Sequence, residues 1–103
     1  MDLEQMILMM DDNRKPFIEK RLSENTFVRV FNHKAQDHLF KWHKDENPRI
    51  VIVLNNSDWK FQFDDAHPFI MKKGMNIAIP KDYFHRVIKG TTPLWLKVTE
   101  SSG

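Results

Sequence analysis

Past Pro16 the chain falls into short runs rich in Val, Ile, Phe and Trp, each broken by turn-forming residues. The runs are Phe17–Leu22, Thr26–Asn32, Leu39–Lys44, Arg49–Leu54, Trp59–Phe63, Phe69–Met71, Met75–Ile79, His85–Ile88 and Leu94–Thr99. Between them stand stretches such as Ser23-Glu24-Asn25, Glu46-Asn47-Pro48, Asn55-Asn56-Ser57 and Gly90-Thr91-Thr92-Pro93. Trp59, Phe61 and Phe63 alternate with Lys60 and Gln62, the period-two signature of a strand with one buried face. Arg49 to Leu54 is apolar on both faces after its first residue, which predicts a strand running through the middle of a sheet. Eight or nine strands spaced about 8–12 residues apart, with no helix between them, predict an antiparallel sandwich or barrel.

The N-terminus departs from this pattern. Leu3, Met6, Ile7 and Met10 recur at helical spacing, and Asp2 with Gln5 three residues on suits a helix start, so a helix is expected over Asp2 to Asp12. A helix this short is marginal alone in water and must dock, either on its own domain or across a dimer contact. The expected organisation is a helix and linker over 1–15, one β domain over 16–100 and a disordered tail over 101–103.

Composition narrows the chemistry. A chain of 103 residues fits one small domain, and 41% apolar content with 12% aromatic fits a globular rather than a disordered one. With no cysteine, disulfides and thiolate-bound zinc are excluded, which leaves histidine and carboxylate as candidate metal ligands. A formal charge of +2 with scattered Lys and Arg argues against a nucleic-acid partner. No apolar run nears the ~18 residues of a membrane span, and the acidic MDLEQ start is unlike a signal peptide. The expectation is a cytoplasmic protein with no membrane partner.

Two stretches carry the candidate chemistry. In GMNIAIPKDYFH, Gly74 permits a turn, Met75 to Ile79 forms a strand, Pro80 ends its ladder, and His85 opens the next strand. Upstream, LFKWHKDENPRIVIVLNN places His43 and Asp45 two apart on a predicted strand, pointing the same way. If His85 faces inward on a neighbouring strand, two imidazoles and one carboxylate converge. That set suits non-haem Fe(II), and also Mn, Ni or Zn.

These stretches resemble the two sequence motifs of the cupin superfamily. Gly74, Pro80 and His85 fall on the second motif, with Asp82 in place of its second glycine and Lys89 in place of its closing Asn. In the first motif His43 takes the first histidine, Asp45 the second, and Arg49 the glutamate; Asn55-Asn56 replace the glycine turn. The resemblance covers Leu39 to Gly90 and implies a single cupin-type antiparallel β-barrel, a jelly roll, with the short helix ahead of it. It implies a metal-ligand role for His43 and His85, and for Asp45 by chemical analogy. It also implies a homodimer, with the N-terminal helix and first strand as candidates for an exchanged interface. WHKD, Arg49, WKFQF and IPKDYFHRVIKG are also similar, more weakly, to short bacteriophage cupins, which carry no known activity.

Arg49 opens a second reading. A permanent cation where the family supplies an anionic ligand repels a metal ion and competes for Asp45. Convergent ring nitrogens would mark a metal site, whereas Arg49 laid against Asp45 would mark a metal-free pocket for a carboxylate or phosphate. Lys41, in phase with His43, would aid such a ligand or extend to the barrel mouth. Phe40 and Trp42 share the other face and are expected in the core, while Tyr83 would line the mouth or cap the core. His33, His38 and His67 read as loop residues. The alternatives are a mononuclear metal enzyme acting on a small polar substrate, a binding module for an anionic ligand, metal-free acid–base catalysis, or a barrel with no site at all.

Overall fold

A computed structural model describes Gln5 and residues 14–101. Apart from Gln5, the helix expected over Asp2 to Asp12 lies outside these residues, as do Ser102 and Gly103. The strands are β1 (Phe17–Arg21), β2 (Thr26–Phe31), β3 (Arg49–Val53), β4 (Lys60–Phe63), β5 (Phe69–Ile70), β6 (Asn76–Ile79), β7 (His85–Ile88) and β8 (Leu94–Glu100). They form a five-stranded sheet in the order β1-β2-β8-β3-β6 and a three-stranded sheet in the order β5-β4-β7. Every pairing is antiparallel. Among the described residues, no helix is long and apolar enough to cross a membrane.

The expected closed barrel is corrected to two facing sheets. The eight strands divide five and three, and no ladder joins the two sheets into a ring. On one flank β5 has two paired residues, too few to carry a seam. Side chains close the interior instead. Phe27, Val51, Val53, Leu94, Leu96 and Val98 from the large sheet meet Phe61 from the small one, with Trp59 and Met71 at the ends of its strands β4 and β5. Trp59 is wholly buried and donates its indole N–H to the Thr92 carbonyl, so its one polar atom is satisfied.

The expected strand over Leu39–Lys44 is also corrected. Asp37–Leu39 forms a 3-10 turn, and Phe40 leaves it at φ −102°, ψ 79°, neither helix nor strand. Alternation therefore fails at this point. Phe40 points inward and packs on Phe31 and Trp59, with ring centroids 6.1 and 5.2 Å away. Trp42 points out, 41% exposed, under the guanidinium of Arg86 at 4.6 Å. Its neighbour His43 faces the interior, and the face opposite an inward residue of so thin a sandwich is solvent, not core.

Beyond Trp42 the chain touches β7 once. His43 and His85 exchange both backbone hydrogen bonds, at 3.0 and 2.9 Å. The Asp45 carbonyl then accepts from the amide of Asp82, where continued pairing would have met Tyr83. One extra residue on the second strand makes a bulge, the device that re-aims side chains beside a site. Asp82, standing where the cupin motif has glycine, adopts φ 58°. Asp is among the few residues other than glycine that tolerate this left-handed region, so the turn survives the replacement.

Candidate metal centre

The register of the two sheets places Arg29, Arg49 and His85 on the inner faces, and the segment before β3 brings Lys41, His43 and Asp45 to them. On the small sheet Phe63 pairs with His85, so His85 shares the inner face with Phe61 and Val87. His85 is 4% exposed and its ring stacks on Phe61, 5.5 Å centroid to centroid and 15° from parallel. His43 approaches from the bridge, with its ring centroid 4.3 Å from that of His85. Asp45 lies between these rings and Arg49, the first residue of β3.

The two imidazoles are held in the same way. Nδ1 of His43 lies 3.0 Å from the Lys41 carbonyl, and Nδ1 of His85 lies 2.9 Å from the Tyr83 carbonyl. A carbonyl oxygen only accepts, so each Nδ1 carries the proton and donates it. In the neutral rings Nε2 is then the lone-pair nitrogen, and both Nε2 atoms face Asp45. His43 Nε2 is 4.0 Å from Oδ1, and His85 Nε2 is 3.3 Å from Oδ2. Oδ2 is buried and has no hydrogen-bond partner among the described residues. Two acceptors this close are satisfied only by a shared cation, either a second ring proton or a metal ion. His43, Asp45 and His85 each offer one donor atom, all within 4.8 Å of one another, a group that could hold a metal ion.

Arg49 meets the other oxygen of the carboxylate. Its Nη1 is 3.3 Å from Asp45 Oδ1 and its Nη2 is 3.3 Å from Glu100 Oε1. Both expected marks, convergent histidines and an arginine against Asp45, therefore occur together on one side chain: His85 faces Oδ2, while His43 and Arg49 face Oδ1. Glu100 also offsets the positive charge that would otherwise oppose a metal. Burial alone would raise the Asp45 carboxyl, but with no metal bound a hydrogen bond from a second His85 ring proton, together with the charges of Arg49 and the histidines, outweighs it and holds the group below its ordinary range.

The cluster opens on a cavity of about 380 Å³ between the sheets, whose walls also include Arg29 and Lys41. Phe17, Phe31, Phe40 and Phe61 supply much of its apolar surface. Lys41 is exposed at the edge and makes no ion pair among the described residues. His38 and His67 are exposed and His33 partly so, and none of them lines this cavity. Nor does Tyr83, which packs edge-on against Phe63 and donates to Asp65 at 2.5 Å. Lys89 ties the 3-10 turn to the end of β7 through the Ala35 carbonyl at 2.8 Å and Asp37 at 3.2 Å.

Three charged residues lie outside the sequence expectations: Arg29, Glu19 and Glu100. Arg29 was legible, since it alternates in phase with the buried Phe27 and Phe31 and so must point inward. Glu19 and Glu100 were not, because only the cross-strand register sets them opposite Arg29 and Arg49.

This architecture is the cupin fold. A cupin-2 domain protein from Shewanella frigidimarina superposes with a TM-score of 0.63 at 12% identity, over 99% of this chain and 94% of that one. The DMSP lyase DddQ from Ruegeria pomeroyi gives 0.70 at 16% identity, over 89% of this chain and 50% of that one. FeII HppE gives 0.58 at 13% identity, over 74% of this chain and 41% of that one. The chain thus spans about half or less of the two larger proteins. No family profile and no curated protein sequence matches the chain.

Proposed function

We propose that this protein is a mononuclear metal-dependent cupin that acts on a small polar molecule, with the ion held by His43, Asp45 and His85. The observation that carries this reading is the pair of Nδ1–H groups fixed on backbone carbonyls, which leaves both Nε2 lone pairs turned toward the Asp45 carboxylate, that of His85 toward its unpartnered Oδ2. Likeness to FeII HppE and to a DMSP lyase supports a metal and small-molecule chemistry in general, but no particular substrate. The donor set fits Fe(II), Mn, Ni or Zn, and an ion bound there would supply a Lewis acid with positions open toward the cavity.

The chain's own residues supply the rest. Burial against Phe61 fixes the His85 ring, the Lys41 and Tyr83 carbonyls set both tautomers, and Arg49 on Oδ1 turns the carboxylate so that Oδ2 faces the His85 ring. Metal analysis of protein purified without chelator, then after titration with each divalent ion, tests the reading. About one ion per chain is expected. Near-zero occupancy that added metal does not raise would remove it.

A second reading is a metal-free binding module that holds an anion through Arg49 and Lys41. In its favour, Lys41 lines the cavity without an ion-pair partner among the described residues. Against it, both Nη atoms of Arg49 already meet carboxylates. On this reading Arg49→Ala abolishes ligand binding and His43→Ala only weakens it, whereas the reverse order returns the site to metal.

A further inference from the structure

Arg29 is the second guanidinium of the cavity, and it differs from Arg49 in what it leaves open. Its Nε and Nη2 both donate to a single oxygen of Glu19, at 3.2 and 2.8 Å. Nη1 has no partner among the described residues. A guanidinium carries five N–H groups in a fixed plane, so the edge formed by Nη1 and the second Nη2 proton remains free. The plane is fixed by packing as well, because the guanidinium carbon sits 3.9 Å from the centroid of Phe17. The side chain is mostly buried, at 16% exposure, yet it forms part of the cavity wall.

Charge points the same way. The charged residues lining the cavity, with their ion-pair partners, are Arg29, Lys41 and Arg49 against Glu19, Asp45 and Glu100. This set is neutral with uncharged imidazoles, and a divalent ion on His43, Asp45 and His85 makes it positive by two. A positive cluster in a cavity with aromatic walls is matched by a compact organic anion. The volume limits its size: 380 Å³ holds roughly a dozen groups of water size, at about 30 Å³ each.

We propose that the cavity takes a small organic carboxylate with an apolar body, its carboxylate gripped end-on by the free Nη1/Nη2 edge of Arg29 and its body laid against Phe17, Phe31 and Phe40. This rests on the metal reading above, since the bound ion supplies the surplus positive charge. Arg29 is then the residue that selects anion over neutral analogue, while Arg49 serves Asp45. Lys41 adds long-range attraction from the edge.

Benzoate and its neutral isostere benzamide, titrated calorimetrically into the zinc-loaded full chain, test the assignment. Benzoate should bind about tenfold or more tightly than benzamide, because the amide leaves the guanidinium edge poorly matched. Arg29→Gln should erase the preference while zinc content stays at the wild-type level. Glu19→Gln, which removes the competing carboxylate, should tighten benzoate about threefold or more by freeing the guanidinium. Equal binding of the two probes, a preference that survives Arg29→Gln, or weaker benzoate binding in Glu19→Gln overturns the proposal. Zinc measured on the same samples separates the two readings. Zinc bound with no benzoate preference overturns this assignment alone, whereas a benzoate preference with no zinc bound overturns the metal reading.

Discussion

His43 and His85 reach the same cavity by opposite means. His85 is set in a ladder, with three further residues of β7 paired to β4, and its ring is sealed against Phe61. His43 hangs on one isolated bridge in a segment with no ladder of its own, and its side chain is half exposed. Their Nδ1 atoms nevertheless make the same bond to the carbonyl two residues earlier. One ring is thus held by the fold and the other by local geometry, and their shared feature is the direction of Nε2. A cluster built this way has a fixed wall on the β7 side and an adjustable one on the side where Lys41 opens to solvent.

The largest effect should separate the two rings. His85→Ala removes a buried ring as well as a donor, and should cost about 3 kcal/mol of unfolding free energy in chelator, measured by denaturant titration, together with all metal binding. His43→Ala should also remove metal binding but shift the chelated protein by no more than about 0.5 kcal/mol, since its ring is half in water. Equal destabilisation by the two changes would break the contrast between ladder and bridge.

A smaller effect is expected at Arg49. Arg49→Gln keeps the three donors but releases Asp45, and metal affinity measured by competition should fall by ~10–100-fold rather than vanish. Tighter metal binding in this variant would show that the cation opposes the ion rather than orienting its ligand.

The smallest effect is a pH dependence. The folded-state Asp45 carboxyl lies below its ordinary value, so its contribution to stability is full above the unfolded pKa of about 4 and is lost as pH falls through the folded value. Chelated wild-type protein should therefore lose stability on acidification below about pH 4, more steeply than Asp45→Asn, which lacks this group. Parallel acid limbs for the two proteins would place the loss elsewhere.

The same contrast marks what the sequence could disclose. The stretch from Gly74 to His85 was readable because its geometry is local. Gly74 takes φ 89°, Pro80 follows the last residue of β6, and His85 opens β7. The stretch from Leu39 to Asp45 was readable in its chemistry and not in its shape. His43 and Asp45 do converge with His85, yet by a bridge and a bulge rather than along a strand, and Phe40 and Trp42 part company at the 3-10 turn. Cross-strand partners were the least readable. Arg49 looked like an objection to metal while Glu100, fifty-one residues away, was out of view.

The central claim, that two ring nitrogens and one carboxylate oxygen share an ion, is tested most directly by the nitrogen NMR signals of the histidine rings during zinc titration. Nε2 of His43 and of His85 should both shift as one equivalent is added, with each Nδ1 remaining protonated and the three remaining histidines unmoved. Shifts confined to His33, His38 or His67, or a spectrum that zinc does not change, would contradict it.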